Sequence, residues 1–157
     1  MIKLYWDNCS INILNRITEV FSKWENTPYM RDQLCRGIAC DCVTFAYGFY
    51  CDLFKFDYKI SLPKFSLYGI NNTLIIKKLI RLFKEKFFMK EWNRPTIQPG
   101  DLIAARTDKG CRHVFIIGSE KNMVYHCNYD IGVTKSGFSE IKSKPYILKS
   151  TRRELWV

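Results

Sequence analysis

An α+β fold, with helices packed on a mostly antiparallel sheet, is what this sequence predicts, and three observations predict it. Before residue 90, apolar residues recur every three or four positions, the spacing of helices with a buried face. From Pro95 onward the texture changes to short β-branched and aromatic runs separated by turn residues. Helices come first and strands follow, an order that argues for segregated α and β layers rather than alternating units. At 157 residues the chain is long enough to bury a real core. No repeat, low-complexity tract or linker divides it, so residues 1–157 are expected to form a single domain.

In chain order, Ser10 to Trp24 reads as an amphipathic helix. Ser10 is its N-cap, and Ile13, Leu14, Ile17, Val20, Phe21 and Trp24 lie on one face. Asn26-Thr27-Pro28-Tyr29 ends it and opens a polar loop through Arg31-Asp32-Gln33. Phe45, Ala46, Phe49, Tyr50, Leu53 and Phe54 then predict a helix with one buried face, starting near Cys42 and running to about Phe54. Phe56 to Asn72, broken by Pro63 and Gly69, reads as surface loop. Leu74 to Met89 predicts another helix, with a basic face made by Lys77, Lys78, Arg81, Lys84 and Lys86, continued at Lys90. Strands are expected at Leu102–Arg106, His113–Ile117 and Met123–Cys127, another beginning at Gly132-Val133, and late pairings at Tyr146–Leu148 and Arg153–Val157.

Composition narrows the function. No apolar run is long enough for a membrane span, and the first residues lack the pattern of a secretory signal. The expectation is therefore synthesis in the cytoplasm, with delivery by another route if the protein acts outside it. Seven cysteines, with no Cys-x-x-Cys pair, fit reduced thiols better than a disulfide framework. The net charge of +10 points to an anionic partner: nucleic acid, a membrane surface or an acidic wall polymer. The lysine-rich helix face is one candidate contact, although a solvated face is the ordinary role of such lysines.

Chemistry concentrates at two places. Cys42 sits at a helix start, where free N–H groups and the helix dipole favour a thiolate, the attacking form of cysteine. A small buried hydrophobe is the competing role. The only two histidines, His113 and His126, lie on one expected hairpin. A two-residue loop at Ser119-Glu120 makes them direct partners; a four-residue loop keeps them on one face, a step out of register; an odd loop without a bulge separates them. Thiol and imidazole together form the pair needed for nucleophilic catalysis, with His126 placed to orient His113. Zinc held by Cys111, His113, His126 and Cys127 is the weaker alternative, because residues 126 and 127 point to opposite faces of a strand. No cofactor is expected.

These pieces resemble the NlpC family of papain-like cysteine peptidases, which cleave bacterial cell-wall peptides. Thr27-Pro28-Tyr29 resembles the segment carrying an active-site tyrosine. Cys40-Asp41-Cys42-Val43-Thr44-Phe45 resembles the Asp-Cys-Ser-Gly-Leu nucleophile motif, and Pro99-Gly100-Asp101-Leu102 the turn before the first sheet strand. His113-Val114-Phe115-Ile116-Ile117-Gly118 resembles the strand bearing the base, and Met123–His126 the strand bearing the third polar residue. The spacing is similar to that of members from phage tails and gene transfer agents. Departures are Arg31-Asp32-Gln33, where Gly-Gly is common, and Val43-Thr44 in place of Ser-Gly.

The resemblance implies a papain-like fold with its nucleophile at a helix N-terminus. It assigns Cys42 as nucleophile, His113 as base, His126 as the orienting residue and Tyr29 as an oxyanion donor. The implied substrate is a peptidoglycan stem, commonly cut between D-γ-glutamate and a diamino acid, with phage-tail or other delivery proteins as partners. Other classes are a non-catalytic tail-tip subunit of the same fold and a nucleic-acid-binding domain using Lys77 to Lys90. No nucleic-acid-binding motif supports the last.

Overall fold

The computed structural model describes residues 3–4, 9–58, 72–94, 96–106, 112–140 and 146–157. Along the chain these form β1 (Lys3–Leu4), α1 (Ile11–Trp24), β2 (Leu34–Cys35), β3 (Ala39–Cys40), α2 (Cys42–Phe54) and α3 (Asn72–Lys86). There follow β4 (Met89–Trp92), β5 (Thr96–Ile97), β6 (Leu102–Arg106), β7 (Arg112–Ile117), β8 (Met123–Asn128), β9 (Gly132–Gly137) and β10 (Tyr146–Ser150). The main sheet has six strands in the order β4-β10-β6-β7-β8-β9, every neighbouring pair antiparallel. The class is α+β. None of the described helices is long and apolar enough to cross a membrane.

The three helices pack on one face of this sheet. Ser10 caps α1 by accepting from the Ile13 N–H, and Ile17, Val20, Phe21 and Trp24 bury its inner stripe. In α2, the expectation of one buried face is corrected. Apart from Asp52, every residue is buried, because Cys42–Phe54 carries a single charged side chain and can be enclosed all round. Asp52 itself is neutralised by donors: Trp24 Nε1 at 2.7 Å, Arg36 Nη1 at 3.0 Å and the Tyr58 hydroxyl. α1 and α2 approach closely at Gly48, where any Cβ would lie 2.4 Å from the Trp24 ring.

Strand alternation divides the sheet into two surfaces. Leu102, Ala104, Val114, Ile116, Tyr125, Cys127, Val133 and Leu148 join the helices in the main core. Ile103, Phe115, Ile117, Val124 and Ile147 form a smaller cluster on the reverse, with Ile97 and the partly buried Trp92 and Phe138.

Several expected boundaries change. α3 ends at Lys86, because Phe88 takes a left-handed φ of 55° and Met89 enters β4. The polar loop after Pro28 contains the β2–β3 hairpin. Arg153–Trp156 is a 3₁₀ turn and not a late strand. Its Trp156 is fully buried beneath Gly100, and Arg153 is tied to Asp101 and the Pro99 carbonyl. Of the expected loop from Phe56 to Asn72, residues 59–71 lie outside the described residues and Asn72 begins α3.

Candidate active site

Asp41 builds the first of the two chemical centres. Its Oδ1 accepts from the Val43 and Thr44 N–H groups at 3.0 and 2.9 Å, while Thr44 Oγ1 accepts from the Asp41 N–H at 2.8 Å. This reciprocal capping box fixes Cys42 as the first residue of α2. Thr44, a departure from the resembling motif, thus has a structural task. The other carboxylate oxygen accepts from Asp32 N–H at 2.7 Å, which ties the Arg31–Gln33 departure to the same cap. The Cys42 N–H is not used by the Asp41 carboxylate and is turned to its own sulfur.

Cys40 and Cys42 have different surroundings. Cys40 is fully buried, with its sulfur 3.7 Å from that of Cys127. Cys42 is also buried, and the Val114 N–H lies near enough to its thiol to favour the charged form. That N–H is available because of the sheet register. Ile117 N–H donates toward β6, to Asp101, so alternation turns the Val114 N–H toward β8. Yet β7 and β8 pair only at Ile116–Tyr125 and Ile117–Val124. The ladder between the two strands ends with these pairs.

The second centre lies on the hairpin. Gly118 N–H bonds to the Met123 carbonyl, so the turn spans Ser119–Asn122, the four-residue alternative. His113 and His126 therefore share a face, one step out of register. His113 Nε2 lies 2.9 Å from His126 Nδ1, and His126 Nε2 lies 2.6 Å from Ser136 Oγ. Phe115 packs against both rings, with centroid separations of 4.7 and 5.1 Å. This is the reverse face of the sheet, the one carrying Phe115 and Val124. Cys127 points the other way, toward Cys40, so it does not join the histidines in a common ligand set. Cys111 lies outside the described residues.

Tyr29 is placed beside the nucleophile segment by a parallel bridge to Cys40, supported by Cys40 N–H to the Pro28 carbonyl and Met30 N–H to the Cys40 carbonyl. Its ring meets Tyr129 edge-on at 5.2 Å. Thr27 anchors this segment: its carbonyl accepts from Val133 N–H and its hydroxyl from Gly37 N–H. Gly132, at φ 87°, passes so close to the Thr27 carbonyl that a Cβ would lie 2.3 Å from it.

The protonation states differ from the expectation of a ready thiolate. Burial pushes the Cys42 thiol well up, and the Asp41 carboxylate adds to this. The Val114 and Cys42 N–H groups pull the other way without offsetting it. Burial lowers His113 to about 3, with His126 contributing, and lowers His126 to about 4. At neutral pH the resting site therefore holds a thiol and two neutral imidazoles. Among the described residues no hydrogen bond joins Cys42 directly to either ring. Ser136 is the member that the sequence did not reveal.

The helices and sheet define an α+β protein, with a buried thiol at a helix start and a hydrogen-bonded histidine pair on the reverse face of the sheet. No family model matches the chain, and no curated protein matches it in sequence.

Proposed function

We propose that this protein is a cysteine hydrolase that cleaves amide bonds in peptidoglycan stem peptides, with a papain-like NlpC-type arrangement. The observation that carries the reading is the seam between β7 and β8. Near it the Cys42 thiol is influenced by the N–H of Val114, the residue directly after His113, whose ring bonds to His126. Hydrolysis begins with transfer of the thiol proton to His113 as the sulfur attacks the amide carbonyl carbon. The oxyanion accepts from the Cys42 N–H, with the Tyr29 hydroxyl as second donor, and each such donor is worth about 100- to 1,000-fold. Collapse breaks the C–N bond, His113 protonates the leaving amine, and water activated by the same ring hydrolyses the thioester. Substrate entry replaces the neutral resting pair by this proton-transfer state, so the low basicity of His113 is a property of the closed site. The net charge of +10 suits teichoic acids and wall carboxylates. As the resemblance implies, phage-tail or other delivery proteins would bring the enzyme to the wall.

A second reading, a tail-tip structural subunit without catalysis, is favoured by the protonated, buried thiol that lacks a direct bond to His113. Incubating purified wall with the protein and analysing the released muropeptides by mass spectrometry separates the two. New D-γ-glutamyl and diamino-acid termini, absent with Cys42→Ala, are the expected result; an unchanged muropeptide profile leaves the structural reading. The nucleic-acid reading is weakened by the commitments of the basic helix. Arg81 pairs with Glu85, Lys84 pairs with Glu91, and Lys86 bonds to the Tyr47 hydroxyl.

A further inference from the structure

The histidine pair does not end at His126. On β9, Thr134 is the direct partner of His126 and Ser136 is its diagonal neighbour. A diagonal neighbour on the same face is within reach of a long ring. The Ser136 hydroxyl is 2.6 Å from His126 Nε2, which completes a line from His113 Nε2 through both nitrogens of His126 to Ser136 Oγ. Only His113 Nδ1 is left outside this line.

A neutral imidazole carries one proton, so each ring donates from one nitrogen and accepts at the other. The line then has two self-consistent proton arrangements. In the first, His113 Nε2–H donates to His126 Nδ1, His126 Nε2–H donates to Ser136 Oγ, and His113 Nδ1 keeps a lone pair. In the second, every proton is reversed: the Ser136 hydroxyl donates, and His113 Nδ1 carries a hydrogen. Only the first leaves His113 able to accept a proton.

We propose that Ser136 is a positioning residue whose hydroxyl oxygen accepts from His126 Nε2–H, which sets the direction of the whole line and leaves His113 Nδ1 as the basic lone pair available to Cys42. The inference rests on the reading of His113 as the base. It adds that the atom used is Nδ1 and that Ser136, the fifth residue of β9, selects it. Ser136 acts through His126 and touches no substrate. Half-buried, it can turn its own hydroxyl hydrogen toward solvent while accepting from the ring.

The test uses the full chain labelled with ¹⁵N. With two histidines in the sequence, long-range proton–nitrogen spectra resolve four ring nitrogens, assigned with His126→Gln. Both rings are expected to carry the proton on Nε2 at neutral pH. Ser136→Ala should convert His126 to a mixture of tautomers, and Ser136→Thr, which restores a hydroxyl, should return the single form. On a cleaved stem peptide, Ser136→Ala should lower kcat about 10-fold with KM unchanged, and Ser136→Thr should recover most of it. Finding the proton on His113 Nδ1 in the wild type overturns the proposal, as does a Ser136→Ala spectrum identical to wild type. The wild-type spectrum decides even if a variant fails to fold. Absence of turnover on every stem tested would sink the catalytic reading while leaving the tautomer result intact.

Discussion

Where the central sheet faces the helices it buries aromatic rings and thiols in one continuous core; on the reverse it carries a smaller apolar cluster and both imidazoles. The first surface is closed by three helices and holds the nucleophile candidate. The second holds the base candidate and its relay. The ladder between β7 and β8 pairs only at Ile116–Tyr125 and Ile117–Val124, short of His113. The comparison teaches that strand alternation keeps the two candidate groups on opposite faces, so any junction between them must run past the backbone of β7.

The largest expected effects break that junction. Cys42→Ala and His113→Ala should each lower stem cleavage by at least about 10³-fold. His126→Ala should retain measurable turnover, reduced about 10²-fold, since water can replace part of an orienting contact. Steady-state assays on one soluble stem peptide check all three, and equal, complete loss in both histidine variants would remove the distinction of roles.

A second effect compares the packing of the two surfaces. Phe49→Ala, which removes a fully buried ring of α2, should cost about 3–5 kcal/mol. Phe138→Ala, partly buried at the margin of the reverse cluster, should cost about 1 kcal/mol. Urea denaturation measures both, and similar losses would mean that the surfaces contribute alike.

Acid sensitivity should belong to the imidazole surface. Both histidines are depressed in the fold, to about 3 and about 4, from an unfolded value of about 6.5. Between pH 6.5 and about 4 the unfolded chain therefore binds protons that the folded chain does not. Stability is complete above this window and falls as pH drops through it, by about 2 kcal/mol per histidine at pH 5. His126→Gln should flatten the decline in Tm, and an unchanged slope would place the acid sensitivity elsewhere.

The smallest effect is expected at Lys77 and Lys78, both exposed on α3. Reversing these charges should change stability by less than about 0.5 kcal/mol. It should leave cleavage of a soluble stem unaltered, because screening is nearly complete beyond about 8 Å at physiological salt. Sedimentation with purified wall at low salt tests whether they assist binding; weaker pelleting would promote them from a solvated face to a contact surface.

The elements with strong periodicity were legible in the sequence. α1 and α2 begin and end close to where Ser10 and the apolar spacing put them, and the hairpin carrying both histidines is present. β2 and β3 were not, because two-residue strands carry no period and depend on contacts such as Cys40 to Pro28. The burial of α2 on every side depends on what surrounds it, and the raised thiol of Cys42 follows from that burial. Ser136 escaped notice for a related reason. A serine on a strand has no local signal, and its place beside His126 is set by the β8–β9 register.

The position of β10 has a consequence for how the molecule is assembled. β6, β7, β8 and β9 are successive neighbours and can zip together as they are made, but β10 must enter between β4 and β6. Until Tyr146–Ser150 has left the ribosome, β4 is unpaired and β6 has one open edge. Those edges are templates for pairing with another chain. A nascent chain halted before Tyr146 would therefore be a poor substitute for a slightly shorter protein: it would carry a vacant slot within the sheet, and self-association would be its expected fate.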